Sequence, residues 1–344
     1  MTKAESNATP RNQSVDAFRL LAALCVIILH VEYPDVPREI AVGLRLMSRW
    51  AIPFFFIVSG YYLAAKSART KRLDVLPTVE RLIWMFLLWV LIYAPFVVVQ
   101  HNLTTLLKII AAPAFIYYGL FSHLWFLPSL LFGYLFISFC RHYNLKSMLP
   151  IMSSVSVGVA LISGAYNIFE LGFPLDFDLA RNWLSIPFLY IGFLFFQNGF
   201  PNRLISVLLI VVGVGAQVFE ARFLYGAYKF SAYEHQFLIG TLPFALGMAG
   251  LAFNDVKFLQ HARLSEWGKN YSLGVYLIHP ALIFIVAKLV ALFAPKLGAV
   301  AVWQVLLPGV VLFLATFLLN LLRRYWAAGF DFLFGAHIKP QSGD

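Results

Sequence analysis

The sequence predicts an all-α polytopic membrane protein: a bundle of about ten transmembrane helices with an internal cavity and both termini cytoplasmic. Three observations carry that prediction. Only 12% of the residues are charged and 61% are hydrophobic, with a mean hydropathy of +0.78. A soluble domain carries about 25% charged residues. Apolar runs approaching the roughly 20 residues that cross a bilayer recur along the chain. Prolines interrupt many of these runs, and broken helices are tolerated in lipid only where protein or a cavity covers the freed backbone.

The predicted spans, in order, are 15–32, 46–65, 80–100, 122–140, 147–165, 182–198, 203–219, 236–253, 271–293 and 301–322. The first, VDAFRLLAALCVIILHV, carries Arg19 and His30. The second, around AIPFFFIVSGYYLAA, stops against Lys66, Arg69, Lys71 and Arg72. Pro95 lies within the third, and Leu103–Leu120, broken by Pro113, reads as a re-entrant or interfacial element. The fourth opens on SHLWFLPS with Pro128, and the sixth on ARNWLSIPF with Pro187. Pro53, Pro243, Pro280 and Pro308 mark the second, eighth, ninth and tenth. Residues 1–13 read as a disordered cytoplasmic N-terminus, 14–325 as the membrane domain and 326–344 as a short cytoplasmic tail.

Basic residues set the orientation. Lys66–Arg81, Arg141, Lys146, Arg203, Lys257, Arg263, Lys269, Arg323 and Arg324 fall in alternate loops, which places those loops in the cytoplasm. The opposite loops hold fewer cations and several acids, including Glu32, Asp35, Glu39 and Glu220. The net charge of +10 is therefore topological, and nucleic-acid binding is not expected. Two cysteines, Cys25 and Cys140, lie in or at the end of apolar runs, so neither a disulfide nor a zinc site is expected. No small-x-small site follows Val31, so signal-peptide cleavage is not expected either. Nor is there a P-loop, a G-x-S-x-G elbow or an H-E-x-x-H motif.

Ionisable groups inside lipid are costly and default to a functional role. Arg19 and His30 are eleven residues apart. That spacing puts them on one helix face, about 16 Å apart along the axis. His30 suits a general base, and equally a structural imidazole bonded to a neighbouring helix. Arg19, close to a helix end, suits either a substrate contact or a side chain that snorkels to lipid phosphate. Ser59 and Gly60 are adequately explained by close helix packing. Arg69 and Arg72 would align on a continuing helix and clamp phosphates; Lys66 to Arg72 also suits a stop-transfer cluster facing anionic lipid. His123, Arg181, Asn182 and His279, each taken alone, suit structural roles.

Together these residues resemble the acyltransferase 3 family of integral membrane acyltransferases. Arg19 and His30 match its R-x10-H element, Phe55–Gly60 (FFIVSG) its FFxxSG element, and Arg69 with Arg72 its RxxR element. HLWFL (His123–Leu127), Arg181–Asn182 and YLIHP (Tyr276–Pro280) match the subgroup acting on bacterial surface glycans. The resemblance runs from Ser14 to about Arg324. It implies a ten-helix fold in the bacterial inner membrane, a cytoplasmic acyl-CoA donor (most often acetyl-CoA), no metal, and a sugar hydroxyl on a lipid-linked or exported glycan as acceptor. His30 would be the catalytic base and Arg19 would position donor or substrate. Arg69, Arg72, Ser59 and Lys66 would form the donor side; Glu32, His123, Trp125, Arg181, Asn182 and His279 would form the acceptor side. Two departures stand out. FLPSLLF follows Trp125 where some members carry a Glu, and no esterase-like domain follows the last span. The chain is therefore expected to act alone or with a separate partner; a homo-oligomer or glycan-assembly partner stays open. The rival expectation is a transporter or flippase of a lipid-linked sugar, which broken helices and a buried histidine would also serve.

Overall fold

The computed structural model describes residues 12–167, 177–228, 237–254 and 262–336. The expectations for residues 1–11, Lys257 and 337–344 lie outside the described residues. Every regular element described is helical. They are α1 (Gln13–His30), α2 (Arg38–Ser48), α3 (Ala51–Thr70), α4 (Leu76–Gln100), α5 (Leu103–Ala111), α6 (Phe115–Tyr118), α7 (Phe126–His142) and α8 (Met148–Ser163). After these come α9 (Phe177–Ala180), α10 (Ser185–Asn198), α11 (Arg203–Tyr228), α12 (Thr241–Phe253), α13 (Ala262–Phe293), α14 (Pro295–Gly298), α15 (Ala301–Tyr325) and α16 (Ala327–Leu333). Short 3-10 turns, Ser122–Trp125 and Arg181–Leu184, lead into α7 and α10.

Eight helical segments are long and apolar enough to cross a membrane, so this is a multi-pass membrane protein. Two shorter apolar helices, α8 and α12, occupy the fifth and eighth predicted spans. At 1.5 Å per residue they are about 24 and 20 Å long, short of a hydrocarbon core of about 30 Å. The 103–120 stretch is broken at Pro113, as expected, into α5 and α6.

Most prolines do something other than interrupt. Pro53, Pro128, Pro187 and Pro243 each occupy the third residue of a helix, as does Pro150. A first-turn N–H has no intrahelical acceptor, so proline there removes nothing and starts the helix. Pro95, Pro280 and Pro308 lie inside α4, α13 and α15. A second departure is α2. The predicted second span began at residue 46, but α2 (Arg38–Ser48) covers its first residues, and α3 begins at Ala51 after a break at Arg49 and Trp50.

The bundle has a protein-facing centre and a lipid-facing rim. Helix α1 packs along α13, and α3 along α10. Glycine makes both contacts possible. A Cβ on Gly60 would overlap the Leu189 carbonyl of α10, and one on Gly192 would overlap the Ile57 carbonyl of α3. A Cβ on Gly268 of α13 would overlap the Asp16 carbonyl of α1. Toward the rim, α11 is only 22% buried over its apolar window, against 61% for α1. Its exposed Leu204, Leu208, Val211, Val212 and Phe219 would be untenable in water.

Two polar contacts pin the periphery. Glu220 of α11 accepts hydrogen bonds from the Ile239 and Gly240 N–H groups at 2.8 and 2.9 Å, at the start of α12. A carboxylate suits a helix N-terminus. Glu220→Ala is expected to lower stability by about 1–3 kcal/mol, because two buried donors lose their acceptor; detergent-phase thermal melting checks this. At the other end, Arg81 Nε donates to the Phe334 carbonyl at 2.7 Å and Trp84 Nε1 to the Phe332 carbonyl at 2.9 Å. The segment after the last span therefore folds back on α4.

Candidate active site

His30 is the last residue of α1, where the helix leaves its carbonyls unpaired. Its Nδ1 lies 2.8 Å from the Val26 carbonyl. A carbonyl can only accept, so this contact places the proton on Nδ1 and leaves Nε2 with a lone pair. The His30 ring lies 4.8 Å from that of His279, which lies 5.4 Å from that of His123. Three imidazoles from distant parts of the chain thus stack edge to face.

Proline chemistry positions His279. Pro280 lacks an N–H, so the Tyr276 carbonyl four residues earlier loses its helical donor. His279 Nδ1 sits 2.7 Å from that carbonyl and replaces the missing bond. Tyr276 Oη in turn donates to the His123 carbonyl, and Tyr93 Oη donates to the Leu277 carbonyl at 2.7 Å. These contacts tie α4, the 122–125 turn and α13 into one rigid wall behind His30.

In front of His30 is a chamber of about 270 Å³. Its polar lining includes His30, Glu32, Arg45, Arg49, Arg181 and Tyr276. Arg181 pairs with Asp178 at 3.0 Å and lies 5.0 Å from the centre of the Trp125 ring. Arg45 Nη2 donates to the Val31 carbonyl at 3.2 Å, just past the C-terminus of α1, and lies 3.6 Å from Glu32. Cationic groups suit that end of a helix.

Toward the opposite end of α1 are two more cavities. One of about 270 Å³ is lined by Arg19, Ser59, Tyr62, Lys66, Thr78 and Tyr134. The other, of about 120 Å³, shares Arg19, Phe55 and Ser59 with it and shares Tyr276 with the His30 chamber. The three cavities are thus neighbours that share wall residues. Arg19 is paired with Asp16 at 3.5 Å, and its side chain is 26% exposed. It lines both of the cavities at this end.

The structure sorts the expected site residues. Arg19, Ser59 and Lys66 meet at one cavity, and His30, Glu32, Trp125 and Arg181 at another. His123 and His279 are fully packed behind His30 and do not line the chamber. Asn182 is a turn-former: its carbonyl accepts from Ser129 Oγ and Ser185 Oγ, and its Nδ2 donates to the Asp178 carbonyl. The condition for aligning Arg69 and Arg72 is not met. Helix α3 ends at Thr70, and Lys71 turns left-handed with φ 54°, so the two arginines leave on different courses. Arg72 lines an open groove of about 800 Å³ with Lys71, Arg141 and Gln197, while Arg69 is exposed outside it. Arg45 and Arg49 were not singled out from the sequence, where their only signal was basic charge in a loop; Tyr276 opens the YLIHP element but was given no role of its own. Among the described residues, no group of three His, Cys, Asp or Glu side chains is placed to hold a metal ion.

A polytopic helical bundle with an imidazole on the wall of a chamber has the architecture of a membrane-embedded transferase or transporter. The family model described as an acyltransferase domain matches residues 12–322, and the chain belongs to that family, acyltransferase 3. It is also similar to a serine/alanine racemase of Enterococcus gallinarum, 25% identical over 78% of this chain and 40% of that protein. An amino-acid racemase of Enterococcus faecalis is 24% identical over 91% of this chain and 47% of that protein. The chain thus spans less than half the length of these relatives. No solved structure matches it.

Proposed function

We propose that the chain is an O-acyltransferase of the bacterial inner membrane that moves an acyl group, acetyl in the first instance, from cytoplasmic acyl-CoA to a sugar hydroxyl of a lipid-linked or exported glycan. The observation that carries this reading is that Arg19 and His30, eleven residues apart on α1, each line a cavity, with a small third cavity between them whose wall includes Arg19 and Tyr276. Donor would enter at the Arg72 groove and the Lys66–Arg19 mouth; acceptor would enter the His30 chamber. This orientation, with both termini cytoplasmic and α8 and α12 completing ten spans, follows the basic-loop bias. A pantetheine arm of about 15–20 Å is matched to the eleven residues of helix between Arg19 and His30, about 16 Å.

The chemistry is a direct displacement. His30 Nε2 accepts the proton of the acceptor hydroxyl, and the oxygen attacks the thioester carbonyl. The C–O bond forms, the C–S bond breaks, and the CoA thiolate leaves and takes up a proton. The Val26 carbonyl keeps Nδ1 protonated, which orients the base. Tyr276, at the junction of the two cavities, is placed to steer the acyl group. The racemase names of the relatives are not carried over, since they belong to longer proteins at low identity.

The test is transfer of labelled acetyl from acetyl-CoA to surface glycan by the purified protein. Stabilisation by glycan with indifference to CoA would favour a transporter and sink the enzyme reading. Arg72→Gln and Arg141→Gln are each expected to raise KM for acyl-CoA on the order of ten-fold with kcat little changed, as for loss of a phosphate contact. Arg69→Gln, outside the groove, is expected to have the smaller effect. Equal KM in all three variants would remove the groove from the donor site.

A further inference from the structure

The smallest of the three cavities has a stretch of wall that neither neighbour shares. Arg19, Phe55 and Ser59 line it together with the larger cavity at the Arg19 end. Tyr276 lines it together with the His30 chamber. Leu82 and Met85 of α4, with Leu127 and Leu130 of α7, line this cavity and neither of the others. All four are core side chains, from 1% exposed at Leu127 to 7% at Leu130. Protein, not lipid, therefore backs this stretch of wall. Side chains packed at interior density yield little to a guest that is too large. The cavity thus has a face toward the Arg19 end, a face toward His30, and an apolar end of fixed size.

A thioester carbon under attack needs room in three directions. Its sulfur leads back to the donor, the attacking oxygen comes from the acceptor, and the acyl chain runs a third way. This cavity offers a face for each. We propose that it receives the acyl group of the donor, with the chain against Leu82, Met85, Leu127 and Leu130, and that its size limits the chain to about four carbons. The inference rests on acyl-CoA being the donor, and it adds which acyl groups that donor carries. The limit follows from volume. An apolar cavity of about 150 Å³ holds one benzene ring, so about 120 Å³ holds on the order of five non-hydrogen atoms. Acetyl fits with room to spare, butyryl fills the space, and hexanoyl exceeds it. Met85 and Leu130 are therefore specificity-determining residues that touch the acyl chain.

The experiment is competition against labelled CoA for binding to the full chain in nanodiscs, without acceptor, with acetyl-, butyryl-, hexanoyl- and octanoyl-CoA as probes. Acetyl- and butyryl-CoA are expected to compete at least as well as CoA. Hexanoyl- and octanoyl-CoA are expected to compete on the order of ten-fold less well, as for a chain too long for its pocket. Met85→Ala and Leu130→Ala are each expected to raise the ratio of hexanoyl- to acetyl-CoA affinity on the order of ten-fold, because loss of buried side-chain atoms deepens the cavity. Comparing each ratio with that of the wild type cancels the partition of longer chains into lipid. Leu91→Ala, on the exposed face of α4, is expected to leave the ratio unchanged. Should the alanine variants fail to fold, Met85→Val, which removes less volume, decides. Equal affinity at all chain lengths, or a ratio that no cavity variant moves, overturns the proposal and assigns the space to water or to the pantetheine arm; CoA binding then still supports the donor reading. Binding of neither CoA nor any acyl-CoA sinks the donor reading, and this inference with it.

Discussion

His30→Ala is expected to lower kcat for acyl transfer about 10²–10⁴-fold, the usual loss for a general base, while CoA binding at the Arg72 groove stays near wild type. The reason is local. The Val26 carbonyl holds Nδ1–H, so the single lone pair of the ring is on Nε2, on a side chain that lines the proposed acceptor chamber. No other imidazole replaces it: His123 and His279 are packed behind it, away from the chamber wall. The fold should tolerate the change, because His30 ends α1 and leaves behind one carbonyl at a helix terminus. Single-turnover transfer with labelled acetyl-CoA gives the rate, and thermal melting gives the fold. Transfer at close to the wild-type rate would remove His30 from the chemistry. His279→Ala should cost less in rate and more in stability, since it frees the Tyr276 carbonyl that Pro280 leaves unpaired.

The largest expected effect on stability comes from Gly60→Ala or Gly192→Ala. Each added methyl would overlap a backbone carbonyl of the partner helix, and backbone cannot rotate away as a side chain can. Overpacking costs about 1–3 kcal/mol when side chains can give way; here the loss should reach or exceed the top of that range, seen as lower expression and a lower melting temperature. Gly158→Ala in α8 and Gly215→Ala in α11 are the controls. Nothing lies within 4 Å of a Cβ at either position. They should be neutral or gain about 0.5–1 kcal/mol, the ordinary helix preference for alanine over glycine. If all four variants melt alike, α3 and α10 are not in the close contact described.

Much of this was legible in the chain. Hydropathy is a local property, so each of the eight helical segments long and apolar enough to cross a membrane overlaps a predicted span, although α11 (Arg203–Tyr228) and α13 (Ala262–Phe293) run well beyond the predicted 203–219 and 271–293. An arginine and a histidine eleven residues apart on one such run announced a shared helix face, and each lines a cavity. The glycine in FFIVSG was read as a close-packing residue, and the Leu189 carbonyl is what it packs against. Proline was misread because a sequence does not say where a helix begins. Pro53, Pro128, Pro187 and Pro243 looked like interruptions and are first-turn residues that cost no hydrogen bond. Arg69 and Arg72 looked like a pair on one face because the left-handed turn at Lys71 carries no glycine to announce it.

The sequence by itself determined the environment of this protein and the helix that carries the proposed chemistry, because lipid compatibility and helical periodicity act over neighbouring residues. Only the tertiary structure decided what that chemistry faces. Helix α2, the break after it and the Arg181 turn bring three arginines to the wall of the His30 chamber, and α13 and the 122–125 turn bring two more imidazoles behind His30. These groups are separated by up to about 250 residues along the chain (His30 to His279) and share no local pattern. Their meeting is set by how closely glycine lets α1 approach α13 and α3 approach α10, which is a property of packed surfaces.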